Sequence, residues 1–253
     1  MEDKSMSATQ TQLNGKDRLA ARITKYWDKR SAAFGKVRRM EMQGSDGAAW
    51  LKLLKEHLPE GRSLKILDVG TGAGFFALIL AGEGHEVIGI DVSSQMLSKA
   101  KENMAITGFC ADFRLMSAQE LEFEPETFDA IVSRNLTWTL PDAAAAYKDW
   151  RRVLKTGGAL MNFDSDLREV TFTKKEDASD VHAGISANMI DECNDIKNSM
   201  SINKYKRPDW DERVLSSLGF RVETVADIRN LVRTDAAMKY DDIPLFAIYA
   251  RKL

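Results

Sequence analysis

The stretch that decides the fold is LKILDVGTGAGFF, residues 64–76. Its apolar first part, residues 64–69, predicts a short buried strand, and its apolar end predicts the start of a helix. Between them lie Gly70, Gly72 and Gly74. Glycines at such a turn let the backbone adopt positive φ and let a ligand approach the main chain closely. Because the N-terminus of the following helix also attracts anionic groups, the stretch predicts a site for a nucleotide-type cofactor.

Two classes of cofactor are compatible with this turn. Gly72, Gly74 and Ala77 match the letters of the dinucleotide fingerprint, and Asp91 follows Gly72 by 19 residues, as the acid of that fingerprint does. The pattern therefore leaves an NAD(P)-dependent oxidoreductase open. Asp68, at the end of the strand, favours the other class, because a carboxylate there repels a pyrophosphate and suits a cofactor that carries an ammonium group.

The segment 68–74, DVGTGAG, resembles the first motif of the class I S-adenosylmethionine (SAM) methyltransferases. Within that family it is most similar to the methyltransferase type 11-like enzymes, which act on small molecules. Four further blocks follow in the order and spacing of that family. They resemble its second, third and fourth motifs and the helix–turn–strand unit after them, at residues 86–96, 113–123, 127–135 and 150–160. The resemblance implies SAM as cofactor and S-adenosylhomocysteine (SAH) as product.

The fold class implied is α/β: a Rossmann-like, doubly wound, mostly parallel seven-stranded sheet with helices on both faces. The alternation of strand and helix patterns over residues 64–163 independently predicts a parallel sheet. We predict a disordered tail at 1–17 and a single domain at 18–253. Within that domain we expect an N-terminal helical cap at 18–58 and a lid-like insertion at 165–207.

Composition points to a cytoplasmic enzyme with a small-molecule partner. The formal charge of −2 over 253 residues gives no general attraction to nucleic acid or to an anionic membrane. The sequence has no secretory-type leader at 1–16 and no apolar run of about 18 residues. Cys110 and Cys193 lack the spacing of a metal site or a disulfide framework. We therefore expect no metal, no nucleic acid and no membrane partner, and a monomer or homodimer.

The resemblance also assigns roles around the cofactor. Asp68 fixes the methionine amino group, and Asp91 accepts the ribose hydroxyls. Asp91 could instead cap the next helix, although Ser93 can fill that role. Tyr26 or Arg30, on the predicted N-terminal helix, contacts the methionine carboxylate. The alternative is that this helix is simply amphipathic, with Tyr26 packed in the core. The remaining predicted neighbours are the loop residues Gly70, Thr71, Gly72 and Gly74, the adenine neighbours Val92, Met96, Ser117, Ala118 and Gln119, and Asn135 beside the transferable methyl group.

Ser117 departs from the family, which often carries Asp at that position to bind the adenine amino group. No catalytic base is evident from the sequence. The candidates are His182, Asp164 and Tyr26, each with a structural alternative. His182 and Cys193 fall on one face of a helix predicted over residues 175–200, where both can simply pack. Asp164 ends a strand and can cap the next turn.

The resulting hypothesis is a methyltransferase that moves the SAM methyl group to a small-molecule acceptor by in-line displacement. The sequence does not choose among O, N, S and C acceptors. The alternatives are methylation of a protein or RNA, an NAD(P)-dependent oxidoreductase, and a SAM-binding protein without catalysis.

Overall fold

The computed structural model describes residues 15–177 and 180–253, and its centre is one seven-stranded sheet. The strand order is β3-β2-β1-β4-β5-β7-β6, where β1 to β5 run parallel and β7 is antiparallel to both β5 and β6. The predicted fold class is confirmed, and the strand that departs from the parallel arrangement is the last one, β7. The strands are β1 Lys65–Val69, β2 Glu86–Asp91, β3 Asp112–Leu115, β4 Phe128–Arg134, β5 Leu154–Asp164, β6 Phe220–Val225 and β7 Phe246–Lys252.

Helices cover both faces of the sheet. Short 3₁₀ turns at Thr137–Thr139 and Ser201–Lys204 lie in the connections. None of the helices within the described ranges is long and apolar enough to cross a bilayer. The α-helices are α1 Gly15–Gln43, α2 Ser45–Lys55, α3 Phe75–Gly82, α4 Ser94–Thr107, α5 Ala143–Val153, α6 Ala187–Ser199, α7 Asp209–Ser217 and α8 Arg229–Val232.

Strand β1 shows why its sequence is apolar almost throughout. Leu67 and Val69 pack into the core on one face of the sheet, and Ile66 packs into the core on the other. A central parallel strand covered by helices on both faces needs apolar side chains on both. All three side chains have no exposed surface.

The strand order places a ligand site at the carboxyl end of β1. Strand β1 lies between β2 and β4, so the chain changes direction of winding at this point in the sheet. Ligands of doubly wound sheets bind outside the carboxyl ends of the strands at such a switch point. Asp68, Asp91 and Asn135 all lie at or just past these strand ends.

The N-terminal helix is longer than the sequence indicates. Within the cap expected at 18–58, the sequence pattern predicts two helices, at about 18–35 and 44–58. Helix α1 instead runs from Gly15 to Gln43, and a break at Gly44 separates it from α2. The part of the predicted tail at residues 1–14 lies outside the described residues. Because α1 spans 29 residues, it reaches across the carboxyl edge of the sheet and contacts α4, α3 and α6.

The helix predicted over residues 175–200 is wrong in its first half. Helix α6 begins only at Ala187, after Gly184 with φ of +78° and Ser186 in an extended conformation. A left-handed glycine and an extended residue end any helical path before Ala187. His182 and Ile185 therefore do not share a helical face with Cys193, which lies on α6.

Candidate functional site

The glycine turn is held together by the carboxylate of Asp68. Its Oδ2 accepts hydrogen bonds from the Thr71 hydroxyl at 2.6 Å and from the backbone N–H of Ala77 at 3.1 Å. Ala77 lies in the first turn of α3, and the N-cap residue Gly74 has no side chain to cap this helix. Asp68 thus caps α3 from the neighbouring strand and satisfies a helix N–H that would otherwise be unpaired. Burial raises the pKa of Asp68 to about 7, against the lowering effect of these two hydrogen bonds.

Asp91, at the end of β2, braces the same turn from the other side. Its Oδ2 accepts from the backbone N–H of Gly72 and its Oδ1 from that of Ser93, both at 2.9 Å. The Ser93 hydroxyl accepts from the Met96 N–H and caps α4, so Asp91 does not cap the helix with its side chain. Burial raises the pKa of Asp91 to about 6, while the bonds from Ser93 and Gly72 lower it.

A small cavity of about 190 Å³, here called the smaller cavity, opens beside these carboxylates. Two of its walls come from the ends of β2 and β3, and a third comes from α1 through Ala20, Ile23 and Thr24. Nine of the predicted cofactor residues line it together: Gly70, Gly72, Asp91, Val92, Met96, Ser117, Ala118, Gln119 and Asn135.

Asp68, Thr71 and Gly74 do not line the smaller cavity. Thr71 and Asp68 are bonded to each other, so they fix the turn from inside. Gly74 has φ of +85°, and a Cβ there would lie 3.0 Å from the Cβ of Ala100 on α4. The structure thus places Gly74 against a helix, and its role in packing is independent of any ligand.

The adenine-side residues are partly engaged within the protein. The Ser117 hydroxyl accepts from the Gln119 N–H at 3.2 Å, and the Ala118 carbonyl accepts from the Trp150 indole at 2.8 Å. Gln119 Oε1 accepts from the backbone N–H of Asp142 at 2.6 Å. Ser117 therefore keeps its hydroxyl proton for donation, while the Gln119 amide is oriented by the start of α5.

Helix α1 and Leu136 close the space above the glycine turn. A Cβ at Gly72 would lie 3.6 Å from the Phe34 ring, and a Cβ at Gly70 would lie 2.8 Å from a methyl of Leu136. Gly70 also has φ of +69°. A side chain at Gly70 is therefore excluded twice, by backbone conformation and by the side chain above it.

A second, larger cavity of about 600 Å³ lies further along α1, toward its C-terminal end. Trp27, Phe34, Arg134 and Asn135 line both cavities, so they form a shared wall between the two. Aromatic rings make up much of the remaining lining, including Tyr26, Trp50, Trp138, Phe172 and Tyr240.

Asn135 occupies the turn after β4 with φ of +55°, an uncommon conformation that Asn tolerates better than most residues. Its N–H donates to the Phe163 carbonyl at 2.8 Å, and its carbonyl accepts from the Trp138 indole at 3.1 Å. These bonds fix the main chain and leave the Asn135 side chain at the junction of the two cavities.

Asp164 lies in the floor of the larger cavity, but its carboxylate is committed to a buried network. Its Oδ2 accepts from the Trp138 N–H at 3.0 Å and from the Arg207 guanidinium at 3.2 Å, and it also accepts from the Thr137 hydroxyl. Arg207 has no exposed side-chain surface and also pairs with Asp211 at 2.7 Å. This arrangement supports a structural role for Asp164 that holds the segment 137–139.

His182 lines the larger cavity on its outer side. Its Nε2 lies 3.7 Å from a carboxylate oxygen of Asp241, and the adjoining Val181 N–H donates to the Lys239 carbonyl at 2.9 Å. Burial lowers the pKa of His182 to about 4, against the raising effect of Asp241. The imidazole is therefore neutral near pH 7, which is the form that can accept a proton.

Tyr26 and Arg30 lie one turn apart on α1 and both face the larger cavity. Tyr26 is buried beside Cys193, and burial raises the pKa of its phenol well above the usual value, so it keeps its proton. Arg30 is 7% exposed, and its Nε and Nη1 have no hydrogen-bond partner. Buried donors without acceptors are costly, and a guanidinium fork matches a carboxylate.

Glu41, near the end of α1, is a buried acidic group that the sequence did not indicate. It lines the larger cavity with a side chain only 3% exposed, between Arg38 at 2.7 Å and Arg134 at 2.8 Å. Burial raises the pKa of Glu41 to about 7, against the lowering effect of Arg38 and of the Tyr240 hydroxyl. No sequence pattern signals this site, because Arg134 lies 93 residues away in the chain.

Comparison with known proteins points to the same family as the strand order and the glycine turn do. A family model described as "Methyltransferase domain" matches residues 66–158. Residues 66–158 therefore form a methyltransferase domain, and the predicted class I SAM-dependent methyltransferase family is confirmed for this segment. The similar proteins include SAM-dependent methyltransferases, in agreement with the predicted enzyme class EC 2.1.1 and the SAM cofactor.

Similar proteins align with part of this chain. A phosphatidylethanolamine N-methyltransferase of Cereibacter sphaeroides is 34% identical over 102 residues, which is 40% of this chain and 50% of that protein. A ubiquinone biosynthesis O-methyltransferase of Thiobacillus denitrificans is 35% identical over 95 residues, 37% of this chain and 41% of that protein. The chain thus spans about half the length of these relatives or less.

Solved structures show the same fold over more of the chain. A SAM-dependent methyltransferase from Aquifex aeolicus aligns with a TM-score of 0.56 at 20% identity, covering 86% of this chain and 97% of that one. The [4+2]-cyclase SpnF aligns with a TM-score of 0.55 at 18% identity, covering 80% of this chain and 79% of that one. The shared fold therefore includes proteins named for different reactions.

The matched segment supplies only a small part of the larger cavity. Residues 66–158 supply the glycine turn, the smaller cavity's sheet side and the shared-wall residues Arg134 and Asn135. Most of the larger cavity is built by α1 and by residues beyond 164. Within residues 15–177 and 180–253, no group of His, Cys, Asp or Glu side chains is arranged to hold a metal ion.

Proposed function

We propose that this methyltransferase transfers the SAM methyl group to a small-molecule acceptor that binds in the larger cavity. The observation that carries the proposal is the pair of cavities that meet at one wall, formed by Trp27, Phe34, Arg134 and Asn135. In-line displacement needs the acceptor atom and the sulfur on opposite sides of the methyl carbon. Two cavities that share a wall are compatible with that geometry.

The smaller cavity fits the adenosine part of the cofactor. Asp91 has backbone N–H groups on both oxygens and retains lone pairs for the ribose hydroxyls. Met96 and Val92 supply apolar contact for the adenine ring, and Ser117 can donate its hydroxyl proton to a ring nitrogen. This assignment of roles rests on position along the smaller cavity.

The amino-acid part of the cofactor would extend from the glycine turn toward α1. Asp68 would hold the ammonium group, since both of its recorded hydrogen bonds fall on Oδ2 and leave Oδ1 for another donor. Arg30 offers two buried donors without acceptors, which suits the methionine carboxylate. Opposite charges at opposite ends of this space would fix the direction in which the methyl group points.

When bound, the cofactor supplies the electrophilic sulfonium methyl group. The protein's contribution is to hold the acceptor against the shared wall and to exclude water, for which the aromatic lining of the larger cavity is suited. The relatives include a phosphatidylethanolamine N-methyltransferase and a ubiquinone biosynthesis O-methyltransferase, which supports a small-molecule acceptor here as well. The net charge of −2 gives no support to RNA as acceptor.

Calorimetric titration with SAM, SAH and NADH tests the cofactor, and release of SAH during incubation with a panel of phenols, amines, thiols and carboxylates tests the transfer. We expect micromolar binding of SAM and SAH, no binding of NADH, and SAH release that depends on one class of acceptor. Binding of NADH alone would contradict the proposal. Binding of SAM with no methylated product from small acceptors, but with product from protein or RNA, would replace it by the macromolecular alternative.

A further inference from the structure

The wall of the larger cavity contains a carboxylate connected to a chain of polar groups. Glu41 Oε2 accepts from both Arg38 and Arg134, and Oε1 contacts the Tyr240 hydroxyl at 2.9 Å. The same hydroxyl lies 2.6 Å from Oδ2 of Asp46 on α2. Asp46 is fully buried, and its Oδ1 accepts the backbone N–H groups of Thr234 and Asp235.

Counting protons shows that this chain of groups has room for one proton beyond that of its tyrosine. The Tyr240 hydroxyl has one hydrogen and lies between two carboxylate oxygens, so it can donate to only one of them. The other contact is a hydrogen bond only if its carboxyl group carries a proton. Asp46 accepts two backbone N–H bonds on its other oxygen and is not part of the lining of the larger cavity, whereas Glu41 lines it. Glu41 is therefore the carboxylate that can take up a proton from that cavity.

The geometry points to Glu41 as the catalytic residue that accepts the acceptor's proton during methyl transfer, with Tyr240 and Asp46 as positioning residues behind it. This inference rests on the proposed function. A bond forms between the acceptor atom and the methyl carbon, the carbon–sulfur bond breaks with its electron pair staying on sulfur, and the acceptor's proton passes to Glu41 Oε1. A carboxylate has about four acceptor positions, and three of those on Glu41 are occupied.

Position favours Glu41 over the other acidic and basic groups of the larger cavity. Arg134, which binds Glu41 directly, belongs to the shared wall, so this carboxylate lies one side chain from the boundary with the cofactor cavity. Asp164 is committed to Arg207, and His182 lies on the outer side beside Asp241. The charged and titratable groups that face Glu41 or its cavity are Tyr26, Arg30 and Arg38 on α1, Asp46 on α2, Arg134 at the end of β4, Asp164 at the end of β5, Glu169, Lys175 and His182 between β5 and α6, Cys193 on α6, and Arg233, Tyr240, Asp241 and Asp242 before β7.

The test measures protons and needs no identified acceptor. SAM carries a sulfonium charge that SAH lacks, and the two share every other charged group. If Glu41 faces the methyl group, SAM displaces its proton and SAH does not. Calorimetry in phosphate and in Tris, whose ionisation heats differ, gives the protons released by each ligand. With a pKa of about 7, half of the Glu41 carboxyls are protonated at pH 7, so the SAM-minus-SAH difference can reach about half a proton.

We expect this difference in the wild type to peak near pH 7 and to vanish at pH 9, and we expect Glu41→Gln to remove it while SAH still binds. Glu223→Gln, an exposed carboxylate on β6, is the matched control and should leave it unchanged. Glu41→Asp retains a titrating carboxyl group and should keep part of the SAM-minus-SAH difference in proton release. This variant tests the inference if Glu41→Gln fails to fold. A difference that persists in Glu41→Gln, or none in the wild type when both ligands bind, would overturn the inference. If neither ligand binds, the proposed function itself fails.

Discussion

Asp68 and Asp91 are the residues through which pH should control cofactor affinity. Burial raises the pKa of Asp68 to about 7 and that of Asp91 to about 6. Their neutral forms contribute stability that is fully present below the unfolded value near 3.8 and is lost as pH rises through 6 to 7. An ammonium group and ribose hydroxyls prefer the ionised carboxylates, so ligand affinity changes in the opposite direction.

We therefore predict that SAH binds about 10-fold more tightly at pH 8 than at pH 6, because one pKa unit of differential interaction corresponds to a factor of ten. Over the same range the unliganded protein should become less stable. Isothermal calorimetry and urea unfolding at matched pH values measure the two trends. Asp68→Asn should bind weakly and with a flatter pH profile. Equal pH dependence in Asp68→Asn and the wild type would show that another group is responsible.

Arg30 can be assigned to the cofactor or to the acceptor by truncating the ligand. If its two unpartnered donors hold the methionine carboxylate, Arg30→Met should weaken SAH binding roughly 10- to 100-fold, as expected for loss of a charge-assisted pair. Binding of 5′-methylthioadenosine, which has no carboxylate, should not change. Lys29→Met, an exposed neighbour on α1, is the control. If both ligands retain full affinity, Arg30 serves the acceptor instead.

Asp164 is expected to matter for folding. It lies with Arg207 in a network that has almost no exposed surface, so Asp164→Asn should cost about 3 kcal/mol of unfolding free energy. Asp227→Asn, in a partly exposed pair with Arg229, should cost about 0.5 kcal/mol or less. Denaturant melts measure both. A large loss of turnover at unchanged stability in Asp164→Asn would restore it as a candidate base.

At the scale of elements, helix α1 is the component that separates the site from solvent. It lines both cavities, and one tether that joins it to α6 is the bidentate pair of Arg22 with Glu192, at 2.7 and 2.8 Å. Both partners of this tether are about one-third exposed, so it is screened and modest in strength. We infer that α1 opens and closes more readily than the sheet beneath it.

We predict that SAH slows hydrogen exchange of α1 amides at least several-fold, because the ligand fills the space under Phe34 and Ile23. Arg22→Ala should raise exchange in α1 of the free protein. Strand β6, at the far edge of the sheet, is the internal reference and should not respond. Protection confined to β1, β2 and α4 would mean that α1 does not take part in enclosing the ligand.

The elements that the sequence predicted well are those whose pattern is local. Strand β1, the glycine turn and α3 each follow from apolar runs and turn residues in one short stretch, and Ser93 caps α4 as its position suggested. The helix over residues 175–186 failed because apolar spacing alone could not account for the left-handed Gly184. One cavity, the larger one, is lined together by His182, Glu41 and Arg30. Their proximity depends on contacts between segments that are distant in the chain, and sequence periodicity does not encode such contacts.

For the whole molecule, the sheet and the smaller cavity belong to a matched family segment, whereas the larger cavity is built mostly outside it. Motifs predict the smaller cavity because its residues lie in local sequence patterns at the carboxyl ends of strands, where ligands of such sheets bind. The larger cavity has no such pattern, so the Glu41 cluster, with partners from α1, α2, β4 and residue 240, emerges only from the folded chain. The acceptor must therefore be sought from this cavity's chemistry.

The last prediction concerns the stability of the whole chain with its ligand. A ligand that binds only the folded state at 100 times its dissociation constant adds about 2.7 kcal/mol. For a chain of this size each kcal/mol shifts the melting temperature by roughly 2–4 °C, so SAH should raise it by roughly 5–10 °C. NADH at the same concentration should have no effect, and Asp91→Asn should lose most of the SAH shift. If NADH raises the melting temperature, and does so equally in Asp68→Asn, the dinucleotide interpretation of Gly72, Gly74 and Ala77 is favoured. That interpretation assigns Asp68 no part in binding.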